Sequence, residues 1–122
     1  MPKPKRNPTR EHRIEQEIVV DAYGPEERAL GWYYYLEEKL KFPFRARCEA
    51  VRSVSLLKKG EVVEVFALAT EDDCMSGPLV LIRFAGRKLG VPLAQLVPVG
   101  ADAVTREAVA DWRYWVAMGY EF

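Results

Sequence analysis

The chain has 122 residues, of which 49% are hydrophobic and 11% aromatic, enough to bury the core of one compact domain. This composition excludes disorder of the chain as a whole. Its apolar runs are shorter than the roughly 20 residues of a membrane span, and no apolar segment follows the basic N-terminus as in a secretory signal. Two cysteines cannot build a disulfide framework or a four-thiolate zinc site. We therefore expect a reduced, cytoplasmic protein without membrane association.

The formal net charge is 0, but the 18 basic and 18 acidic residues are not evenly spread. Residues 1–13 carry five basic residues and one acid (+4), which leaves 13 basic and 17 acidic residues (−4) for the rest. Residues 1–9 lack periodicity and contain three prolines, so we expect a disordered basic tail before one domain at 10–122. The tail is a solubilising extension or an electrostatic arm that contacts phosphates.

Helical spacing dominates the first part of the domain. Ile14, Ile18 and Ala22 predict a short amphipathic helix from Arg10 onwards. Gly24-Pro25 ends it and begins a second helix of roughly 15 residues, which stops at Phe42-Pro43-Phe44. Three consecutive tyrosines, 33–35, point in three directions around that helix. At most two can enter one core, so the third is expected at a rim with its hydroxyl on a polar partner.

After Pro43 the period changes towards two, which predicts five short strands. A turn at Lys59-Gly60-Glu61, a polar loop at Glu71–Pro78 and a 3₁₀ turn at 92–96 interrupt them. The predicted strands are Phe44–Val54, Val62–Thr70, Leu79–Ala85, a short one near Leu89–Val91, and Val97–Val99. This order suggests an α+β fold: an N-terminal helical hairpin, a small SH3-like β-barrel and a C-terminal helix.

The C-terminal helix is predicted to begin at Thr105, whose hydroxyl can cap it. Trp112 and Trp115 lie on one stripe of this helix and are expected to pack it onto the barrel or the hairpin. A ligand-stacking role is the alternative.

Catalysis is poorly supported, so we do not expect an enzyme. The single histidine, His12, lies at the junction of tail and helix, where a general base would be badly positioned. Cys48 lies in a strand pattern typical of a small buried hydrophobe. Cys74 follows three acids that disfavour its thiolate.

The basic loop Gly86-Arg87-Lys88, with Arg83 beside it, is most simply a solvated hairpin tip. Contact with a phosphate backbone is the alternative.

Carboxylates form the remaining signal. Glu71, Asp72 and Asp73 share one loop, and Glu37 and Glu38 lie near the end of the second helix. Clustered carboxylates supply the six to eight oxygens that Ca²⁺ prefers, although no EF-hand loop is present. Simple solvation of these acids is the other interpretation.

Several segments across residues 10–122 resemble the CcbP family of cyanobacterial calcium-binding proteins. The segments that carry the resemblance are Arg13-Ile14, Ile18–Gly24, Gly31–Glu37, Phe42-Pro43-Phe44, Val91–Leu96, Asp111–Trp115 and Gly119-Tyr120.

The resemblance implies a small intracellular calcium buffer or sensor that holds Ca²⁺ in a carboxylate-lined surface pit. Its acids match Glu38, Glu71, Asp72 and Asp73 here, with Glu37 as a weaker candidate. The family prototype is strongly acidic, whereas this chain is neutral. An SH3-like protein- or nucleic-acid-interaction module that has lost or weakened the ion site is therefore the alternative, with the basic tail as a possible contact.

Overall fold

The computed structural model describes residues 3–49 and 57–122. The predicted α+β class is confirmed, because helices flank one antiparallel sheet of five strands. The helices are α1 (Pro8–Arg13), α2 (Pro25–Lys39) and α3 (Ala103–Ala117); the strands are β1 (Phe44–Cys48), β2 (Val62–Leu68), β3 (Leu79–Phe84), β4 (Arg87–Pro92) and β5 (Leu96–Gly100). A π-helical turn at Ile14–Ile18 continues α1, and 3₁₀ turns lie at Asp72–Cys74 and Leu93–Gln95.

The sheet is an open one with the strand order β4-β3-β2-β1-β5. Strands β1 to β4 form a meander, and β5 returns to pair with β1. Within the described ranges the two edge strands β4 and β5 do not pair, so the predicted SH3-like barrel is not confirmed. The predicted 3₁₀ turn at Leu93–Gln95 is confirmed; it connects one edge strand to the other.

Helix and strand boundaries differ from the predicted ones in several places. Helix α1 begins at Pro8, inside the stretch predicted as tail, because Asn7 Oδ1 accepts a hydrogen bond from the Arg10 N–H at 3.0 Å. The first strand ends at Cys48, and the part of its predicted range at 50–54 lies outside the described residues.

Helix α3 is capped by Asp102, so the prediction of Thr105 as its cap was wrong. The Asp102 carboxylate accepts a hydrogen bond from the Thr105 backbone N–H at 2.7 Å, which satisfies one of the free N–H groups of the first turn. The Thr105 hydroxyl instead accepts from the Lys41 N–H at 3.0 Å. It thereby ties the start of α3 to the end of α2.

Three tryptophans join α2 to α3. Ring centroids of Trp32 lie 5.0 Å from Trp112 and 5.6 Å from Trp115, and all three residues are almost fully buried. Edge-to-face and offset contacts of this kind stabilise a core beyond the area they bury. Trp112 and Trp115 were predicted to pack the C-terminal helix onto the barrel or the hairpin, and the structure shows them packed on α2, the second helix of that hairpin.

A buried carboxylate joins α1 to α3. Asp111 is fully buried and accepts hydrogen bonds from Arg10, from Arg13 and from the Tyr35 hydroxyl, at 2.7 to 2.9 Å. This network holds the N-terminal helix against the rest of the fold and orients α2 through Tyr35.

Candidate calcium-binding surface

The three consecutive tyrosines of α2 divide as their spacing predicts. Tyr35 is buried and donates its hydroxyl hydrogen to Asp111, whereas Tyr34 is 54% exposed. Tyr33 lies between these extremes. The Tyr34 hydroxyl donates to Glu71 Oε2 at 3.2 Å, so the residue at the rim has the polar partner that was expected.

Two predicted metal ligands, Glu37 and Glu71, influence this tyrosine pair electrostatically. The Tyr33 and Tyr34 rings lie 5.6 Å apart, and the Tyr34 hydroxyl donates a hydrogen bond to Glu71. The negative charge of Glu71, and then its hydrogen bond, raise the pKa of the Tyr34 phenol. Partial burial, followed by the hydrogen bond to Glu37, raises the pKa of Tyr33. The negative charges of Glu37 and Glu71 contribute to both shifts, which indicates a locally negative potential between α2 and the loop after β2.

The three loop acids are held by a short, well-defined turn. The Cys74 N–H donates to the carbonyls of Thr70 and Glu71, each at 3.1 Å, and the Asp73 N–H donates to Thr70 Oγ1 at 3.3 Å. Cys74 is buried, which anchors the turn and leaves the side chains of Glu71, Asp72 and Asp73 exposed. Backbone turning therefore presents three carboxylates from consecutive positions.

Burial raises the pKa of the Cys74 thiol, and the Asp73 charge adds to the effect. The thiol is therefore kept neutral in this environment.

Glu38 has a different environment from Glu37. Its Oε1 lies 3.7 Å from the Lys39 ammonium, and its side chain is 74% exposed. For Glu37, Glu71, Asp72 and Asp73, no cation of the described residues lies within ion-pair distance.

The predicted ligands are not assembled into one cluster. Across residues 3–49 and 57–122, no three His, Cys, Asp or Glu side chains stand close enough to share a metal ion. The donor chemistry nevertheless fits Ca²⁺, since the acids are hard oxygen donors, exposed and mostly without a counter-ion. Ca²⁺ accepts flexible geometry and water ligands, so rotation of exposed side chains suffices to gather donors around it.

Sequence reasoning missed the contact by which Tyr34 links α2 to the acidic loop. Tyr34 and Glu71 are 37 positions apart, so no local pattern links them. Their contact depends on how α2 packs beside the loop after β2.

Comparison with known proteins defines the class of protein. The sequence matches a family model described as calcium binding over residues 12–116. The chain thus belongs to the CcbP family of calcium-binding proteins, as the resemblance in its motifs indicated. This family is defined by calcium binding rather than by a catalytic activity.

Two solved structures are similar over the whole length of the chain. The crystal structure of Anabaena CcbP is 41% identical in sequence, with a TM-score of 0.86 and 100% of both chains covered. A calcium-binding protein in its calcium-binding form is 40% identical, with a TM-score of 0.87 and the same coverage. No curated protein sequence matches significantly. None of the helices in the described ranges has the length and apolar character needed to cross a membrane.

Proposed function

We propose that this protein binds Ca²⁺ on the surface between α2 and the loop after β2, and acts in the cytoplasm as a calcium buffer or sensor. The observation that carries the proposal is the placement of Glu71, Asp72 and Asp73 on an exposed turn that contacts α2 through Tyr34. The full-length similarity to a calcium-binding protein in its calcium-binding form supports the same function.

In this proposal the chain's own residues do three things. The turn presents Glu71, Asp72 and Asp73 as oxygen donors, and Tyr34 orients Glu71 through its hydroxyl. Glu37 and Glu38 supply further carboxylates from the last turns of α2. Bound Ca²⁺ would attract these carboxylates and relieve their mutual repulsion. Both effects would favour binding.

The site can be tested by removing the loop charges without changing their shape. We expect the triple variant E71Q/D72N/D73N to bind Ca²⁺ at least about tenfold more weakly than the parent, a loss of about 1.4 kcal/mol. Isothermal titration calorimetry with CaCl₂ at 0.15 M KCl measures this difference. The physical reason is that amide oxygens keep the hydrogen-bonding geometry but remove the charge attraction.

A matched control removes the same number of charges elsewhere. The variant E15Q/E17Q/E26Q changes exposed acids of the π-helical turn and of the α2 N-terminus. Its affinity should fall by less than about twofold, because these acids are not among the proposed ligands and salt screens exposed charges at this ionic strength. Equal losses in the two triples would show that net charge, and not the loop, governs binding.

The contribution of Glu38 can be tested with a substitution that should strengthen Ca²⁺ binding rather than weaken it. Lys39 lies 3.7 Å from Glu38 and competes with any cation bound there. We expect Lys39→Gln to tighten Ca²⁺ binding by about two- to threefold, as the loss of one exposed ion pair predicts. Lys41→Gln is the matched control, since Lys41 pairs with Asp102 at 3.7 Å instead. Unchanged affinity in Lys39→Gln would remove Glu38 from the ligand set.

A further inference from the structure

The outer face of the sheet carries a row of charged residues that the calcium site does not use. Alternation along the strands turns Ala46, Val65 and Ile82 into the core and leaves Arg45, Glu64 and Arg83 exposed on the opposite face. Strand pairing then aligns Arg45 with Glu64 and Arg83 with Lys88 in one row across β1 to β4.

The row has an excess of positive charge. Arg45, Arg83 and Lys88 contribute three cations, against one acid, Glu64, which lies 3.9 Å from Arg83 Nε. In the part of the chain that the structure describes, neither Arg45 nor Lys88 has a carboxylate within 4.0 Å. Arg47, one step along β1, is neutralised by Glu49.

The pairing of Arg83 with Lys88 is unfavourable for the sheet alone. They are direct cross-strand partners, and like charges in that position are destabilising. Both cations also face Phe66 of β2: the Arg83 guanidinium carbon lies 4.9 Å, and the Lys88 ammonium 5.8 Å, from its ring centroid. An anion placed between the two cations would relieve their repulsion.

We propose that this outer sheet face binds single-stranded nucleic acid, with Arg83 and Lys88 on phosphate oxygens and Phe66 with Arg83 as a stacking platform. An arginine fork matches a phosphate group in a bidentate manner, and guanidinium and aromatic faces accept unpaired bases. An open sheet with cations around an aromatic ring suits splayed bases, whereas duplex reading in the major groove needs an inserted helix or ribbon. This proposal is independent of Ca²⁺ binding.

The test is fluorescence anisotropy of a labelled 12-nucleotide poly(U) strand with the full chain, from 50 to 200 mM KCl. The parent protein should bind at 50 mM KCl. The double variant R83Q/K88Q should weaken binding at least tenfold and reduce the slope of log K against log salt by about 1.4, since each lost phosphate contact removes about 0.7. Phe66→Leu should weaken it about fivefold or more through lost stacking. Glu64→Gln should tighten it.

Controls separate this face from other sources of positive charge. The variant K41Q/R106Q removes the same charge from other exposed positions and should change affinity by less than twofold. The variant K3Q/K5Q/R6Q tests the basic tail and should leave the effect of R83Q/K88Q intact. The proposal is overturned by absence of binding in the parent, by equal loss in K41Q/R106Q, or by loss in the tail variant alone. Binding to phosphatidylserine vesicles without binding to poly(U) would overturn it as well, in favour of a lipid surface.

Discussion

Replacing Asp111 with asparagine should lower the free energy of unfolding by about 2–3 kcal/mol. Asp111 is fully buried, and four hydrogen bonds converge on its carboxylate from Arg10, Arg13 and the Tyr35 hydroxyl. Asparagine keeps the shape, but it removes the charge and turns an NH₂ donor towards groups that are themselves donors. Removing one partner of a buried ion pair costs about 3–5 kcal/mol. The two arginine side chains are 20–23% exposed, so water partly solvates them once the carboxylate is gone, and we expect a loss at or slightly below the lower end of that range.

Urea denaturation followed by tryptophan fluorescence measures this loss, because Trp32, Trp112 and Trp115 report the contact between α2 and α3. Glu107→Gln is the matched control: Glu107 lies 3.6 Å from the same Arg13, but its side chain is 55% exposed. Exposed pairs contribute about 0–1 kcal/mol, so this variant should stay close to the parent. If both variants lose the same small amount, Asp111 does not anchor α1.

The partners of Asp111 show why such a network escapes prediction from sequence. Arg10 and Arg13 are 101 and 98 positions away, and nothing in the local pattern of α3 marks Asp111 as buried. Its position one residue before Trp112 is compatible with either face of an amphipathic helix. The burial of Asp111 depends on how α1 packs against α3, which is a tertiary contact and not a property of the local sequence.

Local chemistry, by contrast, predicted several features correctly. The turn around Gly60, the 3₁₀ turn at Leu93–Gln95 and the division of the three tyrosines all depend on residues that are neighbours in sequence. The prediction of the residue that caps α3 was wrong although it also depends on local sequence, because Asp102 and Thr105 are both good capping residues and lie three positions apart. Asp102, the more N-terminal of the two, is the N-cap of α3. The Thr105 hydroxyl instead accepts a hydrogen bond from the Lys41 N–H at the end of α2.

Closure of the sheet and assembly of the candidate site are both non-local properties. Five strands could be recognised from their alternation, but whether β4 meets β5 depends on sheet twist and on the connections between strands. Each predicted acid could likewise be recognised singly. The contact between α2 and the acidic loop arises only because Tyr34 reaches Glu71, 37 positions further along the chain.

Gly31→Ala sets two opposing effects against each other, and we expect the destabilising one to dominate. Gly31 lies within α2, where alanine is favoured over glycine by about 1 kcal/mol through helix propensity. However, a Cβ at this position would lie 2.3 Å from the Ile18 carbonyl oxygen, far inside contact distance. That oxygen belongs to the backbone of the π-helical turn, where the neighbouring Val19 N–H is bonded to the Ile14 carbonyl at 2.9 Å, so it cannot rotate away.

Relief of this clash requires α2 to move away from the π-helical turn, which would loosen the packing of Ile18 and Trp32 in the shared core. Overpacking of this kind costs about 1–3 kcal/mol, and a fixed backbone oxygen places it at the upper end. The net expectation is a loss of about 2 kcal/mol in the free energy of unfolding, measured by urea denaturation. Gly24→Ala is the control, because nothing lies within 4 Å of a Cβ there and its φ of −146° suits any residue. A gain in stability for Gly31→Ala would show that helix propensity outweighs the close approach of α2 to the π-helical turn.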